Sequence, residues 1–418
     1  MLKSKRDVTV EYHHHIPVAE RDPDEAYAEL RETCPIAWSN EHGGYWMVTS
    51  YEGVEHVLKD HRAFSSTGNF AIPPWPGERF LPIDLDRPDH TAYRRAMNPR
   101  MSKVAIAELG PRLDHWTDFY IDRVIERGSC DLVYDIALPI PAAVTLEWVG
   151  WDDRTEWKRI AETYHDLSAW PDGHERVLRA YEGVAWFTSR IAEELAKRRE
   201  HPTDDILTFV TQLEINGEVI PEADQINVLK VWVTGGVDTT TSLISLALVH
   251  LARHPEHRDR LIAEPELWPS ATEEFLRVYP PARSTARTAT ERVVLGDVVI
   301  EPGDRVLAVI GSANHDKDAY SCPMDLDLDR GQSAAHMSFG SGIHRCVGLH
   351  LARQEFHVVA RRVLERMPDY VVDEAAVKPY ERQSDMQGLS VAPATFTPGP
   401  RVLDIPSDDP MLTYQAHA

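Results

Sequence analysis

The segment from Ile226 to Ala252 constrains the fold most, because it is apolar over a length that could cross a membrane. Two charged residues, Lys230 and Asp238, lie inside it, and each would cost roughly 3 kcal/mol at the centre of a bilayer. In a soluble chain, a helix that is apolar almost all round is instead buried at the centre. The segment therefore predicts a central helix surrounded by other elements.

The composition of the chain is globular, with 43% hydrophobic and 27% charged residues in 418. A net charge of −23 makes nucleic acid or an acidic membrane surface a poor partner. The N-terminal segment has no apolar stretch of the signal-peptide kind, so we expect no membrane anchor and a cytoplasmic location. Four scattered cysteines without C-x-x-C spacing argue against a disulfide scaffold or a zinc ribbon.

The periodicity of the remaining chain predicts many helices and a few short strands. Residues 45–49 are typical of a strand and 51–59 of a helix, whereas residues 68–88, rich in Pro and Gly, predict a long irregular loop. Helical patterns then run from 90 to about 277. Two β-rich stretches within 293–309 flank a Glu-Pro-Gly-Asp turn.

This order of elements favours a mainly α, α+β fold over alternating βαβ units. No internal repeat or long Gly/Ser linker interrupts the sequence. We therefore expect a single domain over residues 1–418, with a β-rich N-terminal part at about 1–65 and a helical body at about 66–418.

The strongest chemical signal is the run Phe339-Gly340-Ser341-Gly342-Ile343-His344-Arg345-Cys346-Val347-Gly348. Its glycines permit a tight loop, and helical periodicity starts directly after it, where a helix N-terminus would stabilise a thiolate. An isolated cysteine is more often buried and inert. A thiol nucleophile with His344 as base is a second interpretation. A phosphate cradle is a third, but the loop lacks both G-x-G-x-x-G and a Walker lysine.

Two further motifs lie on predicted helices. Gly235-Gly236-Val237-Asp238-Thr239 interrupts the central helix, where each glycine costs about 1 kcal/mol relative to alanine, so a ligand against the helix or a kink must explain them. In the kinked alternative, the threonine hydroxyl bonds back to a carbonyl. Glu274 and Arg277, spaced as an ordinary surface pair, follow a possible capping box of Ser270 and Glu273.

Taken together, these motifs resemble the cytochromes P450, the haem-thiolate monooxygenases. The cysteine run fills every specified position of F-G-x-G-x-H-x-C-x-G, and the helix motif is similar to the family's A/G-G-x-D/E-T. The resemblance implies the P450 fold, with haem b (iron protoporphyrin IX) between the central helix and the cysteine loop. Cys346 would be the axial thiolate ligand of the iron, with Phe339 beside it and Gly348 as a further cofactor-binding position of the motif.

The resemblance also implies roles for other positions. His90, Arg94, Arg287 and His344 would bind the haem propionates, since His90 and Arg94 match H-x-x-x-R and Arg287 matches R-x-A. Taken singly, each is more often a solvated surface charge. Asp238 and Thr239 would deliver protons for O2 activation, beside a groove opened by Gly235. Glu274 and Arg277, with Arg330 as third partner, would form a buried structural ion cluster.

We expect a lipophilic small-molecule substrate, such as a terpenoid, steroid, aromatic acid or macrolide-like compound. The family fold would place apolar residues from three regions around it, although plain core packing explains each of them as well. Arg283 either faces this cavity, where it would meet a carboxylate, or points to solvent. The expected lining residues are Phe70, Ile72, Trp75, Phe80, Val233, Val237, Ala282, Ala286, Met386 and Leu389.

No flavin or ferredoxin segment is recognisable in the sequence, so the resemblance implies electrons from a separate ferredoxin and its reductase. We expect docking near Arg345, Arg95, Arg100 and Arg353, which give local positive charge to an acidic chain. The leading function is O2-dependent hydroxylation or epoxidation. The alternatives are a peroxide-driven or rearranging haem-thiolate enzyme, a non-catalytic haem sensor, and a cysteine hydrolase that uses Cys346 and His344.

Overall fold

The computed structural model describes residues 2–12, 18, 20–74, 79–170, 173–331, 335–382 and 385–404. Helices dominate this part of the chain, and the predicted helix at 51–59 is confirmed at those bounds. In chain order the α-helices are α1 (Pro23–Thr33), α2 (Tyr51–Lys59), α3 (Asp89–Met97), α4 (Lys103–Ala107), α5 (Gly110–Ile125), α6 (Pro139–Val149), α7 (Trp157–Ala169), α8 (Glu175–Glu200), α9 (Ile206–Thr211), α10 (Glu222–Arg253), α11 (Pro255–Ala263), α12 (Trp268–Val278), α13 (Ile310–Ala313) and α14 (Leu349–Arg366).

The strands are short and form several small sheets, as the mainly α fold class predicts. The β-rich stretch at 293–309 is confirmed as three strands. In chain order the strands are β1 (Ile36–Ser39), β2 (Tyr45–Val48), β3 (Phe64–Ser65), β4 (Ser129–Asp131), β5 (Glu214–Ile215), β6 (Glu218–Val219), β7 (Thr285–Ala289), β8 (Val293–Leu295), β9 (Val298–Ile300), β10 (Arg305–Ala308), β11 (Val371–Val372), β12 (Lys378–Pro379), β13 (Leu389–Val391) and β14 (Pro393–Thr395).

The chain divides into two compact units, each assembled from separate segments. The boundary expected near residue 65 falls inside the first unit, because residues distant in sequence complete that unit's sheet. The single haem domain stays a prediction. The first unit comprises Met1–Arg95, Glu273–Val347 and Glu381–Gln387, and the second comprises Ala96–Thr272, Gly348–Tyr380 and Gly388–Ala418.

A five-stranded sheet in the order β1-β2-β10-β7-β3 organises the first unit. β10 runs parallel to β2 and antiparallel to β7, with Val306 opposite both Trp46 and Arg287. Because side chains alternate along a strand, Arg287 shares one face of the sheet with the buried Val306 opposite it, while Ala286 faces the other side. The sheet therefore positions one of the predicted propionate ligands.

The central helix of the second unit is α10, and its range includes the whole apolar segment predicted to be helical. Pro221 stands at its N-cap, where a residue without an N–H fits, and the helix ends at Arg253. Its interior side chains are buried, including Lys230 and Asp238. Among the described residues, one stretch, Leu132–Val149, has the length and hydropathy of a membrane span, and 78% of it is buried inside the fold.

Glu274 and Arg277 form a buried ion pair in the first unit rather than a surface pair. Arg277 donates two hydrogen bonds to the Glu274 carboxylate, of 2.7 and 2.9 Å, and Arg330 Nε donates a third of 2.9 Å. Burial alone would raise the pKa of Glu274, but these bonds lower it to about 2. Remaining donors of Arg277 reach the carbonyls of Asn314 and Asp325. The buried charges are thus compensated by each other and by backbone.

The capping box expected at Ser270 is wrong. α12 begins at Trp268, so Ser270 lies within its first turn and donates to the Leu267 carbonyl at 2.9 Å. Pro269 follows Trp268 directly, and proline at the first turn of a helix favours this earlier start.

Candidate functional site

The cysteine loop of the first unit is a sequence of tight turns. Gly340 and Gly342 adopt positive φ angles of 67° and 69°, a conformation that glycine reaches without strain. A side chain at Gly342 would also meet the Leu58 carbonyl oxygen at 2.4 Å, so the loop passes directly over the end of α2. The backbone N–H of Cys346 donates to the Phe339 carbonyl at 2.8 Å. The turns therefore hold the backbones of the two residues side by side.

Cys346 is exposed, and a cationic side chain lies beside it. Burial lowers the pKa of Arg94, while the charge of a Cys346 thiolate acts in the opposite direction. Arg94 Nη1 also donates to the carbonyl of Arg345 at 2.8 Å, which fixes the guanidinium against the loop. A cationic side chain beside a cysteine favours the thiolate form of its sulfur. In the second unit, Gly348 is the N-cap residue of α14.

The basic cluster, which we define as His90, Arg94, Arg287 and His344, is brought together in the first unit. The rings of His90 and His344 lie 4.1 Å apart, centroid to centroid. Burial lowers the pKa of His90 to about 4, with Arg94 adding repulsion. Burial and the charge of Arg287 lower the pKa of His344 to about 2, and burial lowers that of Arg287 to about 10. These groups thus suppress each other's charge.

Parts of the basic cluster lack partners within the described residues. His90 is 2% exposed, yet neither ring nitrogen has a hydrogen-bond partner there. His344 Nε2 lies 3.0 Å from Ser66 Oγ. Arg287 Nη1 donates to the hydroxyl of Thr285 and to the carbonyl of Ala286. Buried polar atoms are normally paired, so the two free nitrogens of His90 indicate a site for an acceptor.

The glycine face of α10 lies in the second unit. Apart from the helix's own backbone, no atom of the described residues lies within 4 Å of the point where a side chain on Gly235 would begin, and Gly235 is exposed. Thr239, one turn later, donates its hydroxyl to the Gly235 carbonyl at 2.8 Å. This is the back-bonded geometry weighed above as the alternative, but within an unbroken helix. The hydroxyl keeps its lone pairs for a further hydrogen bond.

Asp238 points away from solvent into a buried polar network of the second unit. Its Oδ1 accepts a hydrogen bond of 3.0 Å from the Tyr380 hydroxyl and lies 3.1 Å from His165 Nδ1. His165 and Tyr380 are at most 1% exposed, and burial raises the pKa of Tyr380 well above its ordinary value. Neither Asp238 Oδ2 nor His165 Nε2 has a partner among the described residues. Oδ1 of Asp238 is therefore held by two partners, whereas the buried Oδ2 has none among the described residues.

Sequence analysis missed His165 and Tyr380, which lie on α7 and directly after β12. Tyr380 approaches α10 because Gly388 opposite it has no side chain: a Cβ there would meet Ser242 Oγ at 2.5 Å and the Tyr380 ring at 2.6 Å. The Tyr380 hydroxyl also lies 3.2 Å from Ser242 Oγ. Contacts across 142 residues leave no local pattern, so no sequence signal could have found them.

The expected pocket residues have different surroundings in the structure. Trp75 lies outside the described residues. Ile72 and Ala286 belong to a buried hydrophobic cluster of the first unit, so core packing accounts for them. The half-buried Phe70 contacts Phe80 through a ring pair 5.2 Å apart. Ala282 and Met386 pair through an isolated β-bridge in the same unit. In the second unit the buried candidates are Val233, Val237 and Leu389.

Arg283 points neither to solvent nor to an open cavity. It is 1% exposed and forms an ion pair with Asp24 of α1. Its Nη1 also donates to the side-chain oxygen of Gln387 at 3.0 Å. Burial alone would raise the pKa of Asp24, but Arg283 and His315 hold it well below its ordinary value. The charge of Arg283 is therefore neutralised inside the first unit.

Comparison with known proteins identifies the family. Residues 154–394 match the cytochrome P450 family model. A steroid C26-monooxygenase of Mycolicibacterium smegmatis is 30% identical over 382 residues, which are 91% of this chain and 94% of the relative. The chain belongs to the cytochrome P450 family. The solved structure of the P450 CYP109Q5 from Chondromyces apiculatus, 26% identical, has a TM-score of 0.82 and covers 94% of this chain and 99% of its own.

A second solved P450 is CYP109E1 from Bacillus megaterium, determined in complex with testosterone. It is 25% identical to this P450, with a TM-score of 0.80 and coverage of 90% of this chain and 98% of its own. Family membership makes the protein a monooxygenase that uses haem iron and O2. A cysteine hydrolase is thereby excluded, and the leading expectation of the sequence analysis is confirmed at the level of reaction class.

The basic cluster fits the carboxylates of haem. Two propionates supply four acceptor oxygens, and charge-assisted hydrogen bonds to them would pair the nitrogens of His90 and compensate the buried charge of Arg287. The exposed sulfur of Cys346, beside cationic Arg94, is a suitable thiolate for iron. The residues present are therefore those that such a group requires.

We predict that Cys346→Ser abolishes the long-wavelength Soret band that the reduced protein shows under carbon monoxide, because serine cannot supply a thiolate. The absorption spectrum of the purified variant checks this. Cys322→Ser, which removes the other exposed cysteine, is the matched control and should keep the band. A Cys346→Ser protein with an unchanged spectrum would show that another residue ligates the iron.

Proposed function

We propose that this P450 inserts one oxygen atom of O2 into a lipophilic, electrically neutral small molecule of steroid or terpenoid size, by hydroxylation or epoxidation. The contacts of Arg283 are the observation that supports an uncharged substrate. Arg283 is the charged residue considered for the cavity beside the apolar candidates, and Asp24 and Gln387 already contact it. A substrate carboxylate would find no free cation among these candidates, and burying an unpaired carboxylate is costly.

The remaining candidates support binding through apolar area. Phe70, Phe80, Ala282 and Met386 in the first unit present aromatic and aliphatic surface. Val233, Val237 and Leu389 do so in the second. Lipophilic ligands gain about 25 cal/mol for each Å² of apolar surface removed from water. The Mycolicibacterium relative is a steroid C26-monooxygenase, and the structure of CYP109E1 holds testosterone; both agree with this substrate class.

Haem, when bound by Cys346, supplies the activation of O2 and the transfer of its oxygen atom. The chain's own contribution is the supply of protons. We assign the Thr239 hydroxyl to pass a proton toward the reacting oxygen and the open Oδ2 of Asp238 to replace it. Gly235, where a side chain would project into open space, leaves room for O2 and water beside Thr239.

His165 and Tyr380 act as positioning residues for Asp238. Both reach the same carboxylate oxygen, so they fix the plane of the group and leave Oδ2 free to take up and release a proton. The network is buried, and each of its side chains has few rotatable bonds, so its geometry stays fixed between turnovers. This arrangement favours O2 activation over the peroxide-driven or rearranging alternative, which needs no proton supply from a clamped acid.

Electrons come, in this proposal, from a ferredoxin and its reductase. The proposed docking residues are Arg95 and Arg345 of the first unit and Arg100 and Arg353 of the second. Arg95, Arg100 and Arg345 are exposed. Local positive charge on an acidic protein attracts an acidic partner over roughly 8 Å at physiological ionic strength, the distance beyond which salt screens it.

The substrate class is tested by titrating the haem protein with testosterone and with a steroid carboxylic acid of similar size. We expect the neutral steroid to shift the Soret band and the acid to bind more weakly, by a factor of roughly ten or more. Turnover under ¹⁸O-labelled O2 should place one labelled atom in the product. Tighter binding of the acid, or shifts with sugars and nucleotides alone, would contradict the proposal.

The proton supply is tested in Asp238→Asn and Tyr380→Phe. We expect Asp238→Asn to lower kcat by about 10²-fold, since a positioned general acid contributes that much, and Tyr380→Phe to lower it less. Both should divert electrons from product to hydrogen peroxide and alter the solvent isotope effect, with KM unchanged. Coupling is measured as product formed per NAD(P)H consumed.

The matched control is Tyr370→Phe. Tyr370 is also fully buried in the second unit, and its hydroxyl donates to α10 through the Leu248 carbonyl. It should lower stability as Tyr380→Phe does but leave coupling intact. Equal coupling in Tyr380→Phe and Tyr370→Phe would mean that Tyr380 is merely structural.

Docking is tested by charge reversal. Arg345→Glu should slow reduction by ferredoxin at low salt and flatten the dependence of the rate on ionic strength, because electrostatic steering is lost. Arg292→Glu, at a side chain 64% exposed in the same unit, is the control. Reduction of Arg345→Glu at the rate of the unaltered protein, at every salt concentration, would place the docking face elsewhere.

A further inference from the structure

Three histidines converge where α10 ends and α11 begins. His250 lies in the last turn of α10, His254 is the residue between the helices, and His257 lies in the first turn of α11. One ligand nitrogen from each lies within 4.8 Å of those of the other two. His250 Nε2 and His257 Nδ1 are 2.9 Å apart. All three belong to the second unit and take no part in the monooxygenase site described above.

We propose that His250, His254 and His257 form a binding site for one divalent transition-metal ion, with Zn²⁺ as the best match. Three imidazoles and one water are a common tetrahedral set for zinc, and imidazole also suits Cu²⁺ and Ni²⁺. Zinc–nitrogen bonds of about 2.1 Å set the ligand nitrogens about 3.4 Å apart. The nitrogens of His250 and His257, 2.9 Å apart, therefore need to separate by about half an ångström. Nitrogens at the 4.8 Å limit need to approach each other by about one and a half ångströms.

The charges around the cluster are mixed. The C-terminal end of α10 carries a partial negative charge and the N-terminal end of α11 a partial positive one, so the two helix ends offset each other. Glu256 accepts a hydrogen bond from His254 Nδ1 or holds it as an ion pair at 3.0 Å, which leaves Nε2 for the metal. The neighbouring Arg253 is paired with Glu374 through a 2.6 Å contact, so its charge is compensated.

One hydrogen bond within the cluster rearranges when a metal binds. His250, only 6% exposed, holds its ring against that of His257. The hydrogen bond between His250 and His257 shows that one of these two nitrogens carries a proton. On binding, that proton moves to the other nitrogen of its ring, and both lone pairs become available. The ion would then tie the end of α10 to α11.

The experiment uses the haem-loaded protein with His13, His14 and His15 changed to Ala, because three consecutive histidines could bind the same ions. Equilibrium dialysis against Zn²⁺, followed by elemental analysis, should find one zinc per chain at micromolar free zinc. Zinc should also raise the Tm of the protein, because an ion that binds only the folded state stabilises it. Binding below one equivalent at millimolar zinc would overturn the proposal.

Single variants identify the ligands. His254→Ala and His257→Ala, both at half-buried positions, should each weaken zinc binding by about ten-fold or more and remove the rise in Tm. His201→Ala, an exposed histidine at the end of α8, is the control and should bind as the parent does. An unchanged Soret band in each variant confirms folding. Zinc binding of unchanged affinity in His254→Ala and His257→Ala would show that the ion sits elsewhere.

Discussion

The desolvation of positive charge in the first unit is the constraint on which the monooxygenase site depends. His90 and Arg287 are almost fully buried, and burial lowers the pKa of both. A protein that merely folds has no reason to gather them, because each destabilises the charge of the next. Two haem carboxylates would add an attraction to each of these charges. The chemistry of the basic cluster therefore suits a dianion.

α10 carries a buried acidic side chain, Asp238. A tyrosine hydroxyl and an imidazole both reach its Oδ1. Because both partners reach the same oxygen, they fix the orientation of the carboxyl group. The same helix carries Thr239 and the exposed Gly235, so all three positions share one rigid element.

The sequence predicts what short spacing determines, and it misses what the fold brings together. The tight loop before Cys346 and the helix starting at Leu349 follow from glycine and helical periodicity within ten residues. The buried state of Glu274 and Arg277 did not follow from their spacing, which equally describes a surface pair; the family resemblance supplied it. Neither residue spacing nor the family resemblance predicts His165 and Tyr380, because their contacts to Asp238 span 73 and 142 residues. The wrong capping box at Ser270 shows that even local rules yield to a competing proline.

Two buried arginines of the first unit show how similar burial leads to different consequences. Arg277 is locked by Glu274 and backbone carbonyls on adjacent loops, so its charge stabilises the fold. Arg283 pairs with Asp24, which comes from α1 near the other end of the chain. Together with His315, Arg283 holds the pKa of Asp24 well below its ordinary value. Loss of Asp24 would leave the charge of Arg283, only 1% exposed, without this partner, which is costly for a buried charge. The Asp24–Arg283 pair therefore fixes α1 against the segment before β7 inside the first unit.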